Sequence, residues 1–94
     1  MQDVPAPATE PTHLQQGMIT ILVDLDQKSV RPALITLISE YQEIIHTSFS
    51  ARMAGELGLE IILVRGDSAR IRSFEQQITA KRGVRSARLT VIPT

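Results

Sequence analysis

The stretch from Gly58 to Pro93 constrains this chain most, because each boundary in it carries a residue with a physical reason to be there. Leu59 to Arg65 alternates as a strand does, with Leu59, Ile61 and Leu63 on one face and Glu60, Ile62 and Val64 on the other. Gly66 and Asp67 turn the chain, and Asp67 or Ser68 offers a side-chain oxygen to cap a following helix. Ile71, Phe74 and Ile78 recur at helical spacing and form its apolar stripe. Gly83 stands where a helix end favours a left-handed residue. Val84 to Ile92 is a second strand, with Ala87, Leu89 and Val91 on one face, and Pro93 stops it.

The same pattern extends upstream. Gly17 opens a strand over Met18 to Leu25, in which Ile19, Ile21, Val23 and Leu25 share one face and Met18, Thr20, Leu22 and Asp24 the other. Asp26 to Ser29 is a polar turn. A helix is expected from about Val30 to Tyr41, since Val30, Leu34, Leu37, Ile38 and Tyr41 form one stripe. Pro32 is tolerated in its first turn, and Ser29 is a fitting N-cap. Ile44 to Met53 alternates again. Ile45, Thr47, Phe49 and Ala51 oppose a mostly polar row of Ile44, His46, Ser48, Ser50 and Arg52, so this strand is expected at an edge or lining a site. Residues 1–16, interrupted by Pro5, Pro7 and Pro11, read as a tail or linker, and residues 17–94 as one domain.

The order is β-α-β-β-α-β. It predicts an α+β, ferredoxin-like fold: one four-stranded antiparallel sheet with two helices on one face. Strands one and three are central in that plan. Met18 and Leu22, with Ile62 and Val64, are expected on the face away from the helices, where a lone domain would leave them bare. A second subunit is the expected cover, giving a homodimer or homotetramer through the sheet face. A thin core in a chain of 94 residues makes such burial useful.

Composition narrows the function. Without cysteine, disulfides, thiolate metal sites and cysteine catalysis are excluded. No apolar run is long enough to span a bilayer, and the N-terminus lacks a secretory pattern, so a cytoplasmic location is expected, with no membrane partner. Residues 1–50 carry two basic and six acidic side chains, and residues 51–94 eight and four. That is either a dipolar solvated surface or unlike patches that meet between subunits. The basic residues lack interleaved aromatics, which argues against direct binding of nucleic acid. Arg65-Gly66-Asp67 reads as a strand-to-helix turn rather than an adhesion motif. Ser48 and Ser50 near His46 form no nucleophile–base pair, and no phosphate-cradling loop is present, so the chain is not expected to be an enzyme. His13 lies in the tail. His46 reads either as an ordinary strand residue or as an effector or metal contact beside Glu43 or Tyr41. Asp24-Leu25-Asp26-Gln27 reads as a polar turn, beside the loop where effectors bind in some domains of this plan.

Leu59-Glu60-Ile61, Gly66-Asp67, Arg82-Gly83-Val84-Arg85, Leu89 and Pro93 together resemble the C-terminal domain of the nickel-responsive transcriptional regulators. Gly17 and the first helix extend the resemblance over residues 17–93. The Gly83-Val84-Arg85 turn is also similar to the small ACT-like regulators associated with iron-only hydrogenase. The resemblance implies an ACT-like fold, a tetrameric core and a square-planar nickel site between subunits. It places the nickel ligands near the end of the first helix, as a His-x-His in strand two, and as a cysteine before strand three. Here those positions hold Glu40 to Glu43, Ser50-Ala51-Arg52 and Gly58, with neither histidine nor cysteine. The family's ribbon-helix-helix DNA-binding domain has no counterpart in these residues.

The expected function is an oligomeric, ligand-sensing regulatory domain without the family's nickel and without any other cofactor. A small effector would contact Tyr41, Glu43, His46, Ser50 and Arg52, with Arg52 favouring an anion. Two alternatives stand beside it. One is a protein-assembly module for a hydrogenase-type metal enzyme, and the other a detached fragment of a transcriptional regulator.

Overall fold

Four β-branched and leucine-rich segments pair into one sheet, and two amphipathic helices close over one side of it. The computed structural model describes residues 13–93. Strand β1 (Leu14–Asp24) buries Ile19, Ile21 and Val23, the row that alternation placed together. It begins earlier than expected, because the backbones of Leu14, Gln15 and Gln16 pair with Asp67, Gly66 and Arg65. Ladder pairing needs only main-chain donors and acceptors, so polar side chains do not end it. The strand thus reaches three residues upstream of Gly17, into the expected tail. Residues 1–12 of that tail lie outside the described residues.

Helix α1 (Val30–Glu40) buries Val30, Leu34 and Leu37. Ser29 does not cap it through its side chain. Its first turn is closed instead by main-chain bonds, Val30 N–H to the Gln27 carbonyl at 3.0 Å and Ala33 N–H to that of Ser29 at 3.1 Å. A short 3₁₀ turn (Gln42–Ile44) leads into strand β2 (Ile45–Arg52), and strand β3 (Leu57–Asp67) returns antiparallel to it. Helix α2 (Ser68–Thr79) is capped by Asp67, whose Oδ1 accepts the Ala69 N–H at 3.2 Å. Ile71, Phe74 and Ile78 are its fully buried residues. Gly83 follows with φ +95°, and a Cβ there would stand 2.8 Å from Val30 Cβ, so the position excludes any larger residue. Strand β4 (Val84–Ile92) has the bounds the sequence suggested.

The sheet order is β2-β3-β1-β4, antiparallel throughout, with β1 and β3 central. This is the expected α+β, ferredoxin-like β-α-β-β-α-β topology. In the central ladder Ile19 faces Ile62 and Gly17 faces Val64. Directly opposed residues share a face. Ile62 and Val64 therefore join Ile19, Ile21 and Val23 beneath the helices, with exposures of 0% and 2%. Their expected place on the open face is incorrect. Met18 and Leu22 do lie on the open face, opposite Leu63 and Leu59, and Thr20 faces Ile61 between them. Phe49 and Ala51 extend this surface through their pairing with Ile61 and Leu59. On the other side β4 contributes Ser86, Arg88 and Thr90. The open face is thus apolar over β2, β3 and β1 and polar along β4.

Candidate functional site: a groove between the first helix and the edge strand

Glu60 is the one buried charged or polar residue recorded among the described residues. It lies in phase with Ile62 and Val64 on the helix side of β3. A carboxylate there is tolerable only when paired and hydrogen-bonded. Ser50 Oγ, across the β2–β3 ladder, donates to its Oε1 at 2.7 Å. Arg31 Nη1, on the first turn of α1, donates to its Oε2 at 3.0 Å. The Glu60 side chain is 8% exposed and that of Arg31 44%, so the pair joins a fixed anion to a solvent-facing cation.

The pair lines a groove of about 270 Å³. Helix α1 supplies Arg31, Leu34, Ile35 and Ile38 to it, and the sheet supplies Ser48, Ser50 and Glu60. The groove exists because β2 is an edge strand that is exposed along most of its length. An apolar wall with a few converging polar groups is the usual character of a small-molecule site.

The five residues expected to contact an effector do not form one pocket. Ser50 alone lines the groove. Tyr41 is buried instead, its ring 4.8 Å from that of Phe74 and its hydroxyl sharing a 2.8 Å hydrogen bond with Ser73. Its position in the apolar stripe of α1 draws it inward. Glu43 pairs with Arg70, whose guanidinium also donates to the Glu40 carbonyl at 3.0 Å and stacks 3.9 Å from the Tyr41 ring. Arg70 thus fastens the start of α2 to the end of α1. Its hydrogen bond holds the Glu43 carboxyl below the usual carboxylate range, and Glu43 in turn raises the Arg70 guanidinium. His46 sits at a ladder irregularity between Ile45 and Thr47. It shares one shallow depression with Glu43 and Arg65, and another with Gln16, Leu63 and Ile92. Arg52 lies opposite Gly58 at the far end of β2.

Sequence reasoning missed Glu60 and Arg31 as site residues. The signal for Glu60 was present: a charge in phase with the apolar row of a central strand must find a partner.

The C-terminal nickel binding domain of NikR, as a protein-family model, matches residues 16–92. The chain belongs to this family. Among relatives, it is 30% identical over 76 residues to a protein of Methanococcus vannielii provisionally named a nickel-responsive regulator, covering 81% of this chain and 54% of the relative. It is 33% identical over 79 residues to one of Methanosarcina mazei provisionally named nickel-responsive regulator 3, covering 84% and 56%. The chain thus spans about half the length of these relatives. Among solved structures, an uncharacterised protein of Thermotoga maritima superposes with a TM-score of 0.77 at 16% identity, over 86% of this chain and all of that one. At that identity the likeness is one of fold.

The NikR family implies nickel, and the residues present do not fit it. The positions that the resemblance assigns to ligands on β2 and β3 do come together, with Ser50 opposite Glu60 and Arg52 opposite Gly58. They offer a hydroxyl already bonded to Glu60, a guanidinium with no lone pair to donate, and a bare main chain. A Cβ on Gly58 would stand 2.8 Å from Val23 Cγ2, so a thiol there would require this packing to shift. No group of three or more His, Cys, Asp or Glu among the described residues could hold a metal ion. No helix among them is long and apolar enough to cross a membrane.

Proposed function

We propose that this chain is an oligomerising, effector-sensing domain of a regulator in the NikR C-terminal family. It acts by binding rather than by catalysis, and its effector is not nickel held by the family's ligand set. The observation that carries this reading is the chemistry of Ser50, Arg52 and Gly58. They gather where the resemblance places the metal yet supply no soft or imidazole donor. The nearby groove beside Glu60 is the alternative place for an effector, in place of Tyr41, Glu43, His46 and Arg52, which the fold scatters.

The assembly half of the reading rests on the open sheet face. Met18, Leu22, Leu59, Ile61, Leu63 and Phe49 form a continuous apolar surface, and Phe49 is 53% exposed. A second copy docked over β2, β3 and β1 buries that surface and leaves the polar β4 row in water. Neither nucleic acid nor a membrane is a direct partner in this reading.

Sedimentation velocity at micromolar concentration, calorimetric titration with Ni(II), and thermal-shift screening against metals, small anions, amines and amino acids test it. A dimer or tetramer, no tight nickel binding, and stabilisation by at least one non-metal class are expected. A stable monomer would remove the assembly claim. Tight stoichiometric nickel binding or a flat screen would remove the sensing claim.

A further inference from the structure

We propose that the groove beside Glu60 takes a primary ammonium on a short apolar chain, and that this cation replaces the Arg31 guanidinium on the Glu60 carboxylate. The proposal rests on the sensing reading above and adds the charge and chemical class of the effector. Glu60 is the fixed part of the site, buried on the helix side of the sheet and held by Ser50. Each of its oxygens receives one recorded hydrogen bond, whereas an ionised carboxylate accepts about four. The carboxylate lines the groove with accepting capacity to spare.

Arg31 is the replaceable part. It reaches Glu60 through one nitrogen rather than the two-pronged form that makes arginine–carboxylate pairs strong, and its side chain is 44% exposed. Released, it moves into water, and the incoming ammonium takes over as counter-ion of the buried Glu60 carboxylate. Ser48 stands two residues from Ser50 on the same side of β2, and both line the groove with Glu60. A carboxylate oxygen and two hydroxyls can accept the three N–H donors of an ammonium. Leu34, Ile35 and Ile38 provide an apolar bed for its chain, and Ile35 is 67% exposed. An anionic ligand would face Glu60, and a neutral alkane would leave the polar end of the groove unsatisfied.

The test titrates isotope-labelled full chain with n-butylammonium, followed by amide NMR, with butyrate and 1-butanol as matched controls. Saturable shifts on α1, β2 and β3 are expected from butylammonium alone, weakening as salt rises. Arg31→Ala removes the competing cation, so it should bind butylammonium about tenfold more tightly, the scale of one charged hydrogen bond. The same variant should melt at a lower temperature than the parent, and butylammonium should restore its melting point. Ser48→Val keeps the Glu60 pair and should weaken binding several-fold.

Butyrate binding that Arg31→Ala abolishes would make Arg31 the anchor and overturn the proposal, while the sensing reading stands. Silence from all three probes, in parent and Arg31→Ala alike, also overturns it. The sensing reading falls as well if the thermal-shift screen against metals, anions and amino acids is also flat.

Discussion

Glu60 shows how one residue shapes its surroundings. Its charge sits where Ile62 and Val64 set the rule, so its partners contribute to stability out of proportion to their exposure. Arg31→Ala should lower the unfolding free energy by about 1–3 kcal/mol, read by urea denaturation, because a buried carboxylate loses its counter-ion. The double variant Arg31→Ala/Glu60→Leu should recover most of that loss, since an apolar side chain suits the site without a partner. Phe74, fully buried against Tyr41, should cost about 3–5 kcal/mol as Phe74→Ala in the same experiment. The need of Glu60 for a partner was legible from its phase on β3. Its identity was not, because Arg31 stands 29 residues upstream and meets Glu60 only once α1 has crossed the sheet.

At the level of the elements, the two helices start differently despite similar caps in the sequence. Asp67 bonds the Ala69 N–H, while Ser29 makes no such bond. Asp67→Ala should therefore cost about 1 kcal/mol. Ser29→Ala should be nearly silent in the same denaturation series. The joint between the helices has a pH dependence with a definite sign. Arg70 holds the Glu43 carboxyl low, so the contribution of this pair is complete at neutral pH and is lost as pH falls through the lowered native value. Denaturation of the parent and Glu43→Gln across a pH series should show a gap at neutrality that closes in acid. Periodicity revealed both helices and the bounds of β4, because Ile71, Phe74 and Ile78 leave one choice of buried side. It could not orient β3, where both rows are apolar. Only the ladder, pairing Ile19 with Ile62 and Met18 with Leu63, decides which row the helices cover. The polar row of β2 did mark an edge strand. Tyr41 packs into the core, one of the two readings that a tyrosine on an apolar stripe allows.

For the whole molecule, Ile61 and Ile62 are neighbours with opposite duties. Ile61→Asp places a charge on the open face and should leave a folded domain that sediments as a monomer. Ile62→Asp buries an unpaired charge and should abolish cooperative folding, as circular dichroism melting would show. The strand order also has a temporal consequence. β1 belongs to the start of the chain, yet both of its neighbours, β3 and β4, come from the later half. On the ribosome the opening segment has no ladder partner until residues beyond Leu57 emerge, and its second flank closes only with the final strand. During synthesis β1 therefore stays without its ladder partners until β3 and then β4 have emerged, and the sheet closes only when both are present.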